Sequence, residues 1–277
     1  MKQLVIILLA LFTFSSCELL EDLLEETNNS LSNSEIVQGL KEALEVGTDT
    51  ASTEMSVING YYKGSPSLAL IQLPDEIATI RTKINSNFLA SLASETLGLD
   101  DKFDEVILAV NRAAEDAAKD VAPIFKDAIL NLTIADGFDI LNGVVPVGNI
   151  SKSSVTEFDS TAATQYLKIQ TFNSLTSLYA PKINASLDKD LVSGKSANEI
   201  WANLTTTYNS LLGMLSSSTI SELGLPSSIN SNLGEFSTQV ALDELFYRVG
   251  VEEKKIRKDP YQWASSIIQK VFGYVFN

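Results

Sequence analysis

The sequence has no histidine, one cysteine, seven prolines and fourteen glycines in 277 residues. Without histidine the commonest general base and the commonest metal ligand are missing, which excludes Ser-His-Asp and Cys-His catalytic sets and histidine-bearing zinc sites. A lone cysteine excludes an internal disulfide framework and a cysteine-based metal site. Basic residues are scarce too: 20 Lys and Arg stand against 35 Asp and Glu, a formal charge of −15. That field repels phosphate backbones, so no nucleic-acid partner is expected. The glycine patterns that cradle phosphates or mount a serine nucleophile are absent, and no acid-rich run has the spacing of a calcium loop. Acid pairs such as Asp136 with Asp139, or Asp188 with Asp190, could in principle serve acid–base chemistry. Among 35 acids, close pairs arise by chance. No cofactor or metal is implied, and a non-enzymatic protein is expected.

With 45% apolar residues the chain can bury a sizeable core. Its first apolar run, Leu4 to Phe14 after Lys2, is too short to span a bilayer but suits the apolar part of an export signal. Ser15 and Ser16 then lead to Cys17, the only cysteine. Small residues before a cysteine are what a lipoprotein signal peptidase requires, although Phe14 stands where leucine is usual. The organisation expected is a lipoprotein signal peptide over 1–16, a lipidated Cys17 with an acidic tether over 17–33, and a helical domain over 34–277. Two or three acyl chains on Cys17 would anchor the protein stably, since each buried methylene contributes about 0.8 kcal/mol. The alternatives are a plain secretory signal with a free thiol, or an uncleaved anchor. In the tether, Leu19, Leu20, Leu23 and Leu24 share one helical face with acids elsewhere, which suits a short amphipathic helix and a spacer.

From Ser34 onward apolar residues recur at spacings of three and four almost throughout, and sustained alternation is absent. The fold class expected is all-α, a single irregular bundle of about eight to ten helices. Ser34 is the expected cap of the first helix, Pro74 lies near the start of the second, and Asp100 or Asp101 opens the longest pattern, which Pro123 breaks or kinks. Thr133 with Asp136, and Ser196 with Glu199, have capping-box spacing. Pro181 is expected to stop a helix that starts near Thr161. The stretches 143–160 and 216–233 read as an excursion and a Ser-rich linker, and Asp259-Pro260 as a junction between the last two helices.

Three stretches together carry a family likeness: GLKEAL at Gly39 to Leu44, NRAAEDAAKDVAPIFKDAI at Asn111 to Ile129 running into LTIADGFDIL, and LDELFYRVGVEEKKIRKDP at Leu242 to Pro260. With Ala162 to Leu167 and KVFG at Lys270 to Gly273, the chain resembles bacterial domain-of-unknown-function family 4197 from about Ser34 to its end. The resemblance implies an exported, predominantly helical protein and supplies no activity.

The charged residues in these stretches are the candidate site. Arg112 lies three residues before Glu115 and four before Asp116, next to Asn111, in a segment whose alanines would let another helix approach closely. Glu253 precedes Arg257 by four, the favourable helical orientation. Asn111, Arg112, Glu115, Glu253 and Arg257 are therefore a candidate polar cluster with two readings: a site for a ligand carboxylate or phosphate, or structural ion pairs that fix helix register. The structural reading is favoured, since buried Arg is mostly paired. A bridge from Glu252 or Glu253 to Arg112, locking the terminal helix onto the central one, is also expected.

The reading that follows is a lipid-anchored protein of a bacterial cell envelope, with the outer membrane favoured, whose domain is a structural or protein-interaction module. Its partners would be the membrane through acylated Cys17, and an envelope protein. The alternative is a carrier of a lipid or other apolar small molecule in a cavity between helices.

Overall fold

The structure, a computed structural model, describes residues 31–62, 70–146 and 158–274. The signal segment, Cys17 and most of the acidic tether lie outside these residues, as do 63–69 and 147–157. The described chain is all-α, as expected: ten helices of seven residues or more, one five-residue helix and two 3-10 turns. Among the described residues the only β-type pairing is an isolated bridge between Val192 and Lys195.

The first helix, α1, runs over Asn33–Met55. It begins two residues earlier than Ser34 predicts, because Ser32 and Glu35 form a reciprocal capping box there. Next come α2 (Asp75–Asn85), α3 (Phe88–Leu97) and α4 (Leu99–Ala117), with Pro74 immediately ahead of α2 and Gly98 in the left-handed conformation between α3 and α4. The break after α4 falls at the 3-10 turn Ala118–Asp120 and not at Pro123, which sits inside the first turn of α5 (Val121–Asn131). There a missing N–H costs nothing, since first-turn donors lack intrahelical partners. The five-residue α6 (Gly137–Leu141) follows Asp136 without the capping box expected from Thr133.

Helix α7 (Ala162–Leu187) continues through Pro181, where a stop was expected. Pro181 and Ser177 are both exposed, so water can satisfy the Ser177 carbonyl that loses its donor, while Tyr179 and Ile183 hold the helix in the core. The Ser196–Glu199 capping box opens α8 (Ala197–Met214) as predicted. The expected linker 216–233 contains a helix of its own, α9 (Ser217–Leu223), capped by Ser216 and ended by left-handed Gly224. The last two helices are α10 (Leu233–Lys258) and α11 (Ser266–Tyr274), separated by a 3-10 turn that Pro260 begins.

Two helices organise the packing. Helix α1 lies against α10, α11, α5 and α6, and α4 lies against α8, α7 and α3. Close approach at α1 depends on glycine: a Cβ on Gly39 would meet the Val271 side chain at 2.7 Å, and one on Gly47 would meet Val249 at 3.1 Å. On α4 the same purpose is served by alanine, with Ala109, Ala113, Ala114 and Ala117 all buried, as is Ala118 in the turn that follows. Large rings fill the interior, Tyr61, Tyr179, Tyr208, Phe103, Phe125 and Phe272 being fully buried. Phe125 and Phe246 meet at a centroid distance of 5.1 Å where α5 faces α10.

Candidate functional site

The five candidate residues form two separate buried clusters. In the first, on α4, Asn111 acts as a backbone clamp. Its Oδ1 accepts the Ile71 N–H at 3.0 Å and its Nδ2 donates to the Ile71 carbonyl at 2.8 Å, so Asn111 reproduces a strand-like pairing with a single loop residue. One turn on, Glu115 Oε1 accepts the N–H groups of Tyr61 (3.3 Å) and Tyr62 (3.1 Å), and its Oε2 takes Arg112 Nη1 at 2.5 Å. Arg112 then reaches Asn59 Oδ1 at 2.9 Å and places its guanidinium 5.5 Å from the Tyr62 ring centre. Asn59 has φ of 69°, the left-handed region that asparagine tolerates. Together these contacts fasten both described ends of the segment between α1 and α2 onto α4.

The second cluster joins the end of α10 to two other helix ends. Glu253 Oε1 accepts the Ala163 N–H at 3.0 Å, and Oε2 accepts the Thr164 N–H at 2.8 Å and the Thr164 hydroxyl at 2.6 Å. These are first-turn donors of α7, which has no side-chain cap of its own. A carboxylate from another helix thus takes the place of a local cap and opposes the helix dipole. Arg257 pairs with Glu253 at 2.8 Å and donates to the carbonyls of Leu141 (2.6 Å) and Ile140 (2.9 Å), the last residues of α6. The Phe158 and Phe272 rings lie 5.7 and 5.3 Å from its guanidinium carbon. Phe158 also covers Gly143, and the Asp159 N–H donates to the Gly143 carbonyl at 2.9 Å, so the base of the 143–160 excursion is closed beside Arg257.

The expected bridge from Glu252 or Glu253 to Arg112 does not form. Arg112 is satisfied by Glu115 and Asn59, Glu253 by Arg257 and the α7 amides, and Glu252 by Lys255. Nor does Arg112 pair with Asp116, whose oxygens take Lys119, Lys189 and Ser186. Burial alone would raise the Asp116 carboxyl; those three donors more than offset it and hold it at about 2.

Sequence reasoning missed a third group. The Tyr61 hydroxyl donates to the Ala241 carbonyl of α10 at 3.1 Å and is pushed up by burial and by nearby Tyr179, Glu244 and Glu115. Burial also raises the Tyr179 hydroxyl. Glu244, half-buried on α10, has one oxygen without a hydrogen-bond partner, and burial lifts its carboxyl to about 7. Nothing in the periodicity flags Glu244; the Gly, Pro and tyrosines from Gly60 to Ala69 mark a loop or short hairpin after the first helix, but not what the Tyr61 hydroxyl meets.

The contacts of both ion-pair clusters go to backbone groups and side chains of the fold itself. No group of metal-binding side chains occurs among the described residues, and none of their helices is long and apolar enough to cross a membrane. A family model described as a protein of unknown function, DUF4197, matches residues 30–273. The chain belongs to DUF4197. That match takes in both clusters and runs from before α1 into the last turn of α11 of the DUF4197 domain. No curated protein and no solved structure matches this DUF4197 chain.

Proposed function

We propose that this DUF4197 protein is a bacterial envelope lipoprotein, tethered through acylated Cys17, whose helical domain is a non-enzymatic interaction module. The observation that carries the module reading is the outer face of α3, where Phe88, Leu89 and Leu92 are 79%, 60% and 51% exposed. Three large apolar side chains at positions i, i+1 and i+4 of one short helix form the kind of knob that helix-in-groove recognition uses. Asn111, Arg112, Glu115, Glu253 and Arg257 all spend their polar atoms on the scaffold, which supports a module over a His-free hydrolase built on those clusters. The close filling of the interior by tyrosine and phenylalanine rings supports a module over a lipid carrier, as do grooves that lie at the surface between helices.

A photo-crosslinking residue in place of Leu89, expressed in the native envelope, tests the module. A discrete crosslinked partner that disappears with Phe88→Glu is the expected result; an unchanged pattern would remove α3 from the reading. The anchor is tested separately by the mass of the native N-terminus. The expected outcome is a chain beginning at a diacylated or triacylated Cys17, and Cys17→Ser should release the protein from membranes.

A further inference from the structure

Most lysines and arginines of the described chain are committed to the fold, by ion pairs with acids or, at Lys41 and Lys83, by hydrogen bonds to backbone carbonyls. Lys254 is not: among the described residues its ammonium has neither an ion-pair nor a hydrogen-bond partner. It lines a cavity of about 220 Å³ between α7 and α10, with Lys168, Asp243, Gln165 and Tyr247. Buried Phe246 supplies an apolar wall, and Thr161 and Gly250 bound the cavity where the helices touch, a Cβ on Gly250 meeting the Thr161 Cγ2 at 3.2 Å.

Charge and donor count set what this cavity takes. Lys168 is matched by Asp243 at 2.7 Å, which leaves Lys254 as one uncompensated positive charge on a molecule of net charge −15. The amide of exposed Gln165 and the hydroxyl of Tyr247, 40% exposed, also lack partners among the described residues. The lining therefore offers more donors than acceptors, around a single positive charge. Its acceptors are the Gln165 carbonyl and the Asp243 oxygen that Lys168 leaves open.

We infer that this cavity binds a small sugar acid, with its carboxylate on Lys254 and its hydroxyls on Gln165, Tyr247 and Asp243. One carboxylate balances one free ammonium through a charge-assisted hydrogen bond. A phosphate monoester brings close to two negative charges up to Asp243 and exceeds what Lys254 offers. A zwitterionic amino acid brings an ammonium that meets two lysines and finds the one carboxylate of the lining already paired. A fatty acid matches the charge but leaves Gln165, Tyr247 and Asp243 facing methylenes. Hydroxyls donate to the open acceptors, accept from the amide and phenol, and leave the C–H face of the sugar for the Tyr247 ring. The volume is below the roughly 300–1,000 Å³ of a drug-sized site, so one sugar ring is the limit. Exposure of Lys254 and Gln165 keeps the binding weak, with a Kd of about 1 mM. The site lies on helices other than α3 and stands independently of the knob there.

Ligand-observed saturation-transfer NMR on the full chain at low ionic strength, with D-glucuronate as the probe, tests the site. Saturable binding is expected, with D-glucose and acetate each about tenfold weaker, since one lacks the charge and the other the hydroxyls. Lys254→Gln should weaken glucuronate about tenfold and Gln165→Ala about threefold. Lys258→Gln, one turn further along α10 and outside the lining, should change it by less than about twofold. All three substitutions are at exposed positions, and circular dichroism verifies that each variant keeps its helicity. Absence of saturation by glucuronate, acetate or glucose binding as tightly as glucuronate, or equal effects of Lys254→Gln and Lys258→Gln would each overturn the proposal.

Discussion

The clusters on α4 and at the end of α10 are built from the same parts and do different work. Each has a buried carboxylate paired with an arginine on its own helix, three residues away on α4 and four on α10. On α4 the carboxylate holds loop amides, and its arginine remains 20% exposed. At α10 the carboxylate closes the start of α7, the arginine closes the end of α6, and their side chains are 2% and 5% exposed. A local ion pair thus becomes a long-range fastener through what its remaining lone pairs and protons reach. The energetic consequence follows from burial: removing one partner of a fully enclosed pair strands the other charge, whereas a partly wet arginine can turn to water.

The largest effect is therefore expected at Glu253. Glu253→Ala should destabilise the domain by about 3–5 kcal/mol, since it strands Arg257 and uncaps α7. Chemical denaturation measures this, and hydrogen exchange should show the first turn of α7 losing protection. If Glu253→Ala proves no worse than Glu115→Ala, the proposed distinction between the clusters fails. Glu115→Ala should cost about 2–3 kcal/mol, with exposure of the Tyr61–Tyr62 backbone and little change at α7.

A smaller effect of opposite sign is expected at Glu244. Its carboxyl is raised from 4.5 to about 7, so the folded state holds a proton that the unfolded chain releases. The stabilisation this gives is complete below pH 4.5 and is lost as pH rises through about 7. Glu244→Gln should stabilise the protein above neutrality by about 1 kcal/mol once solvent screening is allowed for, and should flatten the melting temperature across this range. A melting curve that stays as pH-dependent as the parent's would place the titration elsewhere. The smallest expected value is zero: in a double-mutant cycle Arg112→Ala and Glu253→Ala should be additive within about 0.5 kcal/mol, because their contacts share no partner.

How much of this was legible in the chain differs from element to element. The Arg112–Glu115 and Glu253–Arg257 pairs were readable from helical spacing alone, as was the Ser196–Glu199 box. Their third partners were not, because Tyr61, Thr164 and Ile140 are 54, 89 and 117 residues away in sequence. Pro181 misled for a similar reason. A proline's local cost is fixed, but whether the helix survives depends on solvent reaching the orphaned carbonyl and on the core holding both sides. The short α9 was hidden in a stretch whose serines serve equally as linker and as cap.

The sequence by itself determined the all-α class, the DUF4197 membership and the identity of the charged pairs, since each is written in short-range spacing or in ordered motifs. Only the tertiary structure decided that Glu253 caps another helix, that Arg112 holds a loop and not the terminal helix, and that α3 and α7 turn apolar side chains outward. Periodicity fixes which face of a helix is apolar. Which backbone groups are left without partners, and which distant side chain arrives to satisfy them, is settled when the helices pack.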